Sequence, residues 1–202
     1  MMKSFGKRIA PFLLVCFCLT ASCATTKMTD TWRDDNYRGT IRKVVVTGIF
    51  KEPDTRKIFE DEFADRLRAR GVDATASHKI LSDAELPDKD VVIGKIRKLG
   101  ADTVFVTRVL DMEMEKNYVP GQAYAVPTYY SDYGSYYSYS YRPGYTETTG
   151  SAYLETNLYN LGDEKLIWSG RSKTKLSATR YELIQAYVKT MLDGLSEAKL
   201  IR

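Results

Sequence analysis

The spacing of apolar residues after residue 40 changes repeatedly between that of a strand and that of a helix, and this order constrains the fold most. Residues 41–50 contain Val44-Val45-Val46, a β-branched run typical of a buried strand. Pro53 and Asp54 are residues that favour a helix start. The apolar residues Ile58, Phe59, Phe63 and Leu67 follow at helical spacing. Gly71 suits the end of that helix.

The middle of the chain repeats this strand and helix pattern. Residues 72–77 predict a short strand, and Asp88 is placed to cap a second helix that ends at Gly100. A long strand is predicted over 103–116. In its second half the apolar residues alternate with acidic ones, so we expect one buried face and one face in water: Leu110, Met112 and Met114 against Asp111, Glu113 and Glu115.

The C-terminal part predicts a hairpin followed by a helix. Residues 152–159 and 165–175 flank the turn Asn160-Leu161-Gly162-Asp163, and Thr179-Arg180-Tyr181-Glu182 is a capping box. The predicted order over 41–202 is therefore β-α-β-α-β-β-β-α. Helix-joined strands favour parallel neighbours and hairpins favour antiparallel ones. The fold class is α/β (α+β), a mixed sheet with helices packed on it.

The N-terminus has the composition of a secretory signal. Lys3, Lys7 and Arg8 precede an apolar run over 9–19, and small residues follow. A run of about eleven residues is too short to cross a bilayer, which takes about 20. We interpret residues 1–22 as a signal peptide that is removed. The remaining chain is nearly neutral and has no basic stretch interleaved with aromatics, so nucleic acid is not an expected partner.

Leu19-Thr20-Ala21-Ser22-Cys23 resembles a bacterial lipobox, with Thr20 where a leucine is usual. The resemblance implies cleavage before Cys23 and a diacylglyceryl thioether on its sulfur, which makes membrane lipid a partner. More than one long acyl chain anchors a protein stably. Ala24 in the next position implies the outer membrane, with the domain on its periplasmic face.

Cysteine usage agrees with this interpretation, because Cys16 and Cys18 leave with the signal. No disulfide is expected, and core packing alone must stabilise the domain. Residues 23–40 are polar, and we interpret them as a lipidated tether with Trp32 and Tyr37 docking on the domain. Residues 41–202 would form one periplasmic domain.

A tyrosine-rich insert over 118–148 interrupts the pattern before the C-terminal hairpin. Ten of the fifteen tyrosines lie here, among prolines and glycines. Such a long loop is usually functional or disordered. Tyrosine offers a flat apolar face and a hydroxyl, which suits contact with a protein or a glycan. The expected contact residues are Tyr118, Tyr124, Tyr129, Tyr130, Tyr133, Tyr136, Tyr137, Tyr139, Tyr141 and Tyr145. The alternative is a flexible low-complexity segment without a ligand.

Catalytic and cofactor motifs are not apparent. His78 has no partner evident from spacing and is interpreted as a surface residue, and a single histidine without a free thiol argues against a zinc site. Glu60-Asp61-Glu62 is interpreted as the solvated face of a helix. The row Asp111, Glu113 and Glu115 is the one feature that an enzyme could use. We expect no metal, no cofactor and no enzymatic activity.

Beyond the signal, the whole chain resembles a family of Gram-negative envelope lipoproteins of unassigned function. The resemblance is carried by Thr31-Trp32-Arg33-Asp34-Asp35-Asn36-Tyr37, Val44-Val45-Val46, Arg70-Gly71-Val72, Gly100-Ala101-Asp102, Tyr118-Val119-Pro120-Gly121, Leu154-Glu155-Thr156-Asn157-Leu158-Tyr159 and Leu166-Ile167-Trp168-Ser169-Gly170, with Arg56 and Phe59-Glu60-Asp61. The topology is also similar to the small α/β domains of TolB N-terminal and CsgG lipoproteins. Fold analogy does not transfer function.

Three functions remain open from the sequence. The first is a non-catalytic outer-membrane lipoprotein that binds a protein or glycan partner through the tyrosine-rich insert. The second is a subunit of an envelope assembly or secretion complex that oligomerises through a sheet edge or a helix face. The third, and least supported, is a cell-wall-active enzyme that uses the Asp111, Glu113 and Glu115 row.

Overall fold

The computed structural model describes residues 25–127 and 137–201, and only the backbone of 124–127 and 137–140. It contains three α-helices and two short 3₁₀ turns within those residues. The helices are α1 (Pro53–Ala69), α2 (Lys89–Lys98) and α3 (Arg180–Glu197). None of the described helices is long and apolar enough to cross a bilayer.

The described strands form a six-stranded mixed sheet and a separate two-stranded one, which confirms the predicted fold class. They are β1 (Thr26–Arg33), β2 (Lys43–Ile49), β3 (Asp73–Ala76), β4 (Thr103–Val119), β5 (Gln122–Pro127), β6 (Tyr137–Arg142), β7 (Tyr145–Asn160) and β8 (Leu166–Lys175). The large sheet has the order β1-β8-β7-β4-β2-β3, and β5 pairs with β6. As expected, β2 is parallel to β3 and β4, while β4, β7 and β8 are antiparallel neighbours.

The helix starts are set by the capping residues that the sequence indicates. The Asp88 carboxylate accepts hydrogen bonds from the backbone amides of Asp90 and Val91 at the start of α2. Thr179 and Glu182 form the predicted capping box, in which each side chain bonds the backbone of the other. Gly71, after α1, has a φ of +80°, a conformation that favours glycine.

The core lies on both faces of the parallel strands but is much larger on one. α1 and α3 cover one face, where Val44, Val46 and Phe105 are fully buried. α2 covers the other face, where Val45 packs with Ile96 and Leu161. This division explains why β2 reads as a continuous apolar run, since both of its faces are covered.

The segment interpreted as a tether contains a strand of the main sheet. β1 runs antiparallel to β8, from Thr26 opposite Thr174 to Arg33 opposite Trp168. Met28 packs against the main core, whereas most other residues of β1 are exposed. An edge strand exposed on one face can be polar in sequence, and for this reason the apolar pattern did not reveal it.

The tyrosine-rich insert is not a structureless loop where it is described. β4 and β7 remain paired as far as Val119 opposite Tyr145, and β5 and β6 continue as a second pair of strands. We call residues 110–127 and 137–153 the ribbon. Leu110 is an extra residue between the pairs Val109–Leu154 and Asp111–Tyr153, and this β-bulge marks where the ribbon leaves the sheet.

Candidate functional site

The ribbon carries an uncovered apolar stripe. Met112 lies opposite Ala152 and Met114 opposite Gly150, on the side of the sheet that α3 covers farther along. Leu110, Met112 and Met114 are 43, 58 and 63% exposed. The expectation that one face of this strand half would be buried is therefore wrong, because no described helix extends over the ribbon. Exposed apolar side chains grouped in this way are typical of interaction surfaces.

Three of the predicted contact tyrosines lie on the ribbon with described side chains, and all three are exposed. Tyr118, Tyr141 and Tyr145 are 70, 68 and 54% exposed. Gly121 and Gly144 lie beneath two of these rings: a Cβ on Gly121 would come within 2.5 Å of the Tyr141 hydroxyl, and one on Gly144 would overlap Tyr118. The glycines thus let the tyrosine rings lie flat on the backbone.

The other predicted site residues lie only partly within the described part of the chain. The backbones of Tyr124 and Tyr139 lie in β5 and β6, and Tyr137 begins β6, but their side chains are not described. The remaining predicted residues lie outside the described part of the chain: Tyr129, Tyr130, Tyr133, Tyr136 and Cys23. Their roles stay predictions.

An apolar pocket of about 380 Å³ lies where the ribbon joins the domain. Val109, Met112 and Leu154 form its wall on the sheet, and the start of α3 contributes Leu183 and Tyr187. No sequence pattern predicts this pocket, because its walls come from segments that are far apart in the chain. The end of β8, the start of α1 and the residue after β2 complete it: Thr174, Leu176, Thr55, Phe59 and Phe50.

Three buried side-chain hydroxyl groups form a row of hydrogen bonds beneath the pocket. The Tyr187 hydroxyl lies 2.6 Å from the Thr156 hydroxyl, which in turn lies 2.6 Å from that of Thr107. Burial raises the pKa of Tyr187 above its ordinary value of 10.0, and the hydrogen bonds from the threonines oppose this only in part. Tyr187 is therefore a neutral hydrogen-bonding group at neutral pH.

The opposite face of the antiparallel strands is polar and carries the acidic row. Glu113 accepts a hydrogen bond of 2.8 Å from the Tyr153 hydroxyl and lies 3.6 Å from the Lys173 ammonium nitrogen. A second cavity of about 510 Å³ borders Glu113, Glu115 and Lys175. Glu113 thus forms an ion pair with Lys173, as carboxylates on exposed sheet faces commonly do.

Farther along the same face, Glu155 is clamped between two arginines. Arg108 donates two hydrogen bonds to one carboxylate oxygen, at 3.0 and 2.8 Å, and Arg171 donates one of 2.8 Å to the other. Burial would raise the pKa of Glu155, but the hydrogen bonds from Arg171, Arg108 and Asn157 together lower it below its ordinary value. The carboxylate is therefore charged and fully engaged.

The interpretation of Glu60 as solvated is wrong. Its carboxylate is completely buried and accepts hydrogen bonds from the backbone amides of Gly48 and His78 and from the Ser77 hydroxyl, at 2.7 to 2.9 Å. Arg56 donates to it as well, at 2.9 Å. The arrangement joins α1 to the ends of β2 and β3.

His78 also differs from its interpretation as an unpartnered surface residue. Its Nδ1 lies 3.0 Å from Glu60, its Nε2 lies 3.3 Å from Asp61, and its side chain is mostly covered. Within residues 25–127 and 137–201, no group of three histidine, cysteine or acidic side chains is arranged to hold a metal ion.

The fold is similar to solved bacterial structures of low sequence identity. The PelC dodecamer from Paraburkholderia phytofirmans is 12% identical, with a TM-score of 0.47 over 83% of this chain and 96% of that chain. Lipoprotein GNA1162 from Neisseria meningitidis is 10% identical, with a TM-score of 0.43 over 77% and 99%. No protein-family model and no curated protein matches the chain. Likenesses at this level imply no shared function.

Proposed function

We propose that this chain is a lipid-anchored, non-catalytic module of the bacterial envelope that binds an envelope protein or a glycan through its ribbon. The observation that carries the proposal is the exposed apolar and aromatic surface of the ribbon, from Leu110 through Met114 to Tyr118 and Tyr145. Exposure of such a surface to water is unfavourable, and its free energy falls when a partner covers it.

The anchor is supported by the sequence around Cys23. The basic residues, apolar run and small residues before it have the order of a cleaved signal, and Cys23 provides the thiol that a thioether-linked lipid requires. Ala24 supports an outer-membrane location with the domain on the periplasmic side. Cys23→Ser should abolish processing and lipid attachment, and fractionation with mass spectrometry of the N-terminal peptide would check both. Processed, membrane-bound Cys23→Ser protein would contradict the anchor.

The partner surface can be tested by removing the end of the ribbon. Since Val119 and Tyr145 are directly opposite, an Asn-Gly turn can replace residues 120–144 and close the two strands as a hairpin. We expect the variant to keep the thermal unfolding of the full chain and to lose the cross-linked products that the full chain forms in intact cells. A partner that still cross-links to the shortened protein would contradict the proposal.

A non-catalytic role is supported by how the described carboxylates are used. Glu155 and Glu60 are each held by several donors, and Glu113 is paired with Lys173 and Tyr153. Replacement of Asp111, Glu113 and Glu115 by Asn and Gln should leave the cellular phenotype of the protein unchanged. A loss of cell-wall turnover in that triple variant would favour the enzyme instead.

A second candidate function is that of a subunit in an envelope assembly. It is favoured by β1, an edge strand of the main sheet on which Trp32 is 49% exposed. A strand that lies at the edge of the described sheet and carries an exposed aromatic side chain is suited to pairing with another chain. Light scattering of the lipidated protein in detergent tests this: a monomer at all concentrations would contradict it, and Trp32→Glu should dissociate an oligomer.

A further inference from the structure

The chain enters the domain at the rim of the apolar pocket. The carbonyl oxygen of Thr25 accepts a hydrogen bond of 2.7 Å from the backbone amide of Lys175, and the hydroxyls of Thr26 and Thr174 lie 2.9 Å apart. Thr174 and Leu176 are themselves part of the pocket wall. The first described residues are therefore fixed beside the pocket, and β1 runs away from it.

Cys23 is only two residues before Thr25. Two residues span at most about 7 Å even when fully extended. The tether expected over 23–40 would have let the anchor lie far from the domain, but Thr25 is already bonded to Lys175 and β1 begins at Thr26. A lipid attached to the Cys23 sulfur therefore begins close to Leu176.

The pocket has the size and chemistry of a site for an apolar chain. Its volume of about 380 Å³ falls within the range of small-molecule sites, about 300–1,000 Å³. Phe50, Val109, Leu154 and Leu183 contribute much of the lining. The charged residue among the lining side chains is Arg180, which is 54% exposed and is paired with Glu52 at 2.9 Å.

We infer that this pocket holds one of the acyl chains carried by Cys23. The inference rests on the lipidation proposed above and adds the place where part of the lipid resides. A chain attached so near the pocket is present at a high effective concentration, so it competes well against free lipids for the same walls. The remaining acyl chains stay available for the bilayer, and the domain is thereby held directly against the membrane surface.

The experiment is a photochemical cross-link in the lipidated full chain. Ala178, an exposed residue on the pocket rim, is replaced by p-benzoylphenylalanine, and the protein is irradiated in detergent and digested with trypsin. Cleavage after Lys27 gives an N-terminal peptide that begins at Cys23. We expect mass spectrometry to find the acyl chain of that peptide joined to the peptide that contains position 178. The same label at Trp32 should give no such product.

A matched pair of variants tests whether the pocket itself is needed. Thr55→Trp places a large ring in the pocket, whereas Lys57→Trp places it on the exposed side of the same helix. We expect the cross-link at position 178 to be lost in the first variant and kept in the second. Loss in both, or in neither, would overturn the inference.

The outcomes separate the two proposals. If the N-terminal peptide carries no lipid, the anchor fails, and the acyl chain in the pocket fails with it. If the peptide carries lipid but the label captures a free phospholipid or nothing, the anchor stands and the pocket inference is overturned.

Discussion

The Nε atom of Arg56 lies 2.9 Å from a carboxylate oxygen of Glu60, and both side chains are almost completely buried within α1. The same guanidinium bonds the Ser77 hydroxyl at 2.8 Å and also contacts Asp83. An ion pair that is enclosed in this way contributes little as an isolated attraction, but either charge is costly to leave alone in the interior.

Arg56→Met should therefore destabilise the domain strongly, by about 3–5 kcal/mol, because Glu60 would remain buried without the guanidinium that pairs with it. Urea unfolding at neutral pH measures this. Arg66→Met is the matched control, since Arg66 pairs with Glu62 on the same helix at the same spacing but its side chain is 46% exposed. It should cost about 0.5 kcal/mol or less. An equal loss of unfolding free energy in the two variants would contradict the prediction that burial makes the Arg56–Glu60 pair costly to break.

The lowered pKa of Glu155 predicts a pH dependence of stability. Since the pKa is below its unfolded value of about 4.5, the stabilisation is fully present above that pH and is lost as the pH falls through the folded pKa. The difference in unfolding free energy between the wild type and Glu155→Gln should thus be constant near neutral pH and shrink in acid. A difference that grows in acid would contradict the assigned direction.

Tyr187→Phe should cost about 1 kcal/mol, because it removes one hydrogen bond from the buried chain of hydroxyls while Thr156 keeps its bond to Thr107. Thermal or urea unfolding gives the value. Tyr181→Phe is the control, since Tyr181 lies on the same helix but is 51% exposed. An absorbance titration should also show that Tyr187 ionises only well above pH 10.0, the ordinary pKa of a tyrosine. Ionisation of Tyr187 near pH 10.0 would contradict its burial.

Met28→Ala should destabilise the domain by about 1–2 kcal/mol, less than the roughly 2–5 kcal/mol that removing a fully buried methionine side chain costs, because Met28 is only partly buried. Lys27→Ala, on the opposite and exposed face of β1, should change stability by less than about 0.5 kcal/mol. Denaturant unfolding of the two variants distinguishes a strand of the sheet from a tether. A tether would make both substitutions equally harmless.

The elements with an apolar face were predictable from the sequence, and the polar ones were not. α3 has a capping box and a buried stripe that includes Val188 and Leu192, so both its start and its face follow from local chemistry. β1 instead is held largely by main-chain hydrogen bonds to β8. Its side chains therefore do not need to alternate between apolar and polar residues. The ribbon is similar: tyrosine, serine and threonine favour strands, but with no buried face they do not reveal a register.

The candidate site was predictable only in part for a related reason. Exposed tyrosines such as Tyr118 and Tyr145 could be identified from composition alone. Glu60 could not be distinguished from its neighbour Asp61, because its burial depends on β2 and on the turn at Ser77, which are remote from it in sequence. The apolar pocket likewise exists only after β4, β8 and α3 have come together.

The extra residue, Leu110, determines which side chains of β4 face the helices and which face the opposite side of the sheet. Before it, Phe105, Thr107 and Val109 point toward α1 and α3, and after it the even-numbered residues take over that direction. Removing this one residue would exchange the two sides of β4 beyond it, so that carboxylates would lie at the pocket mouth in place of Met112. The outer part of β4 is thus oriented by a single extra residue, which makes that position the most sensitive one in any attempt to transplant or lengthen the ribbon.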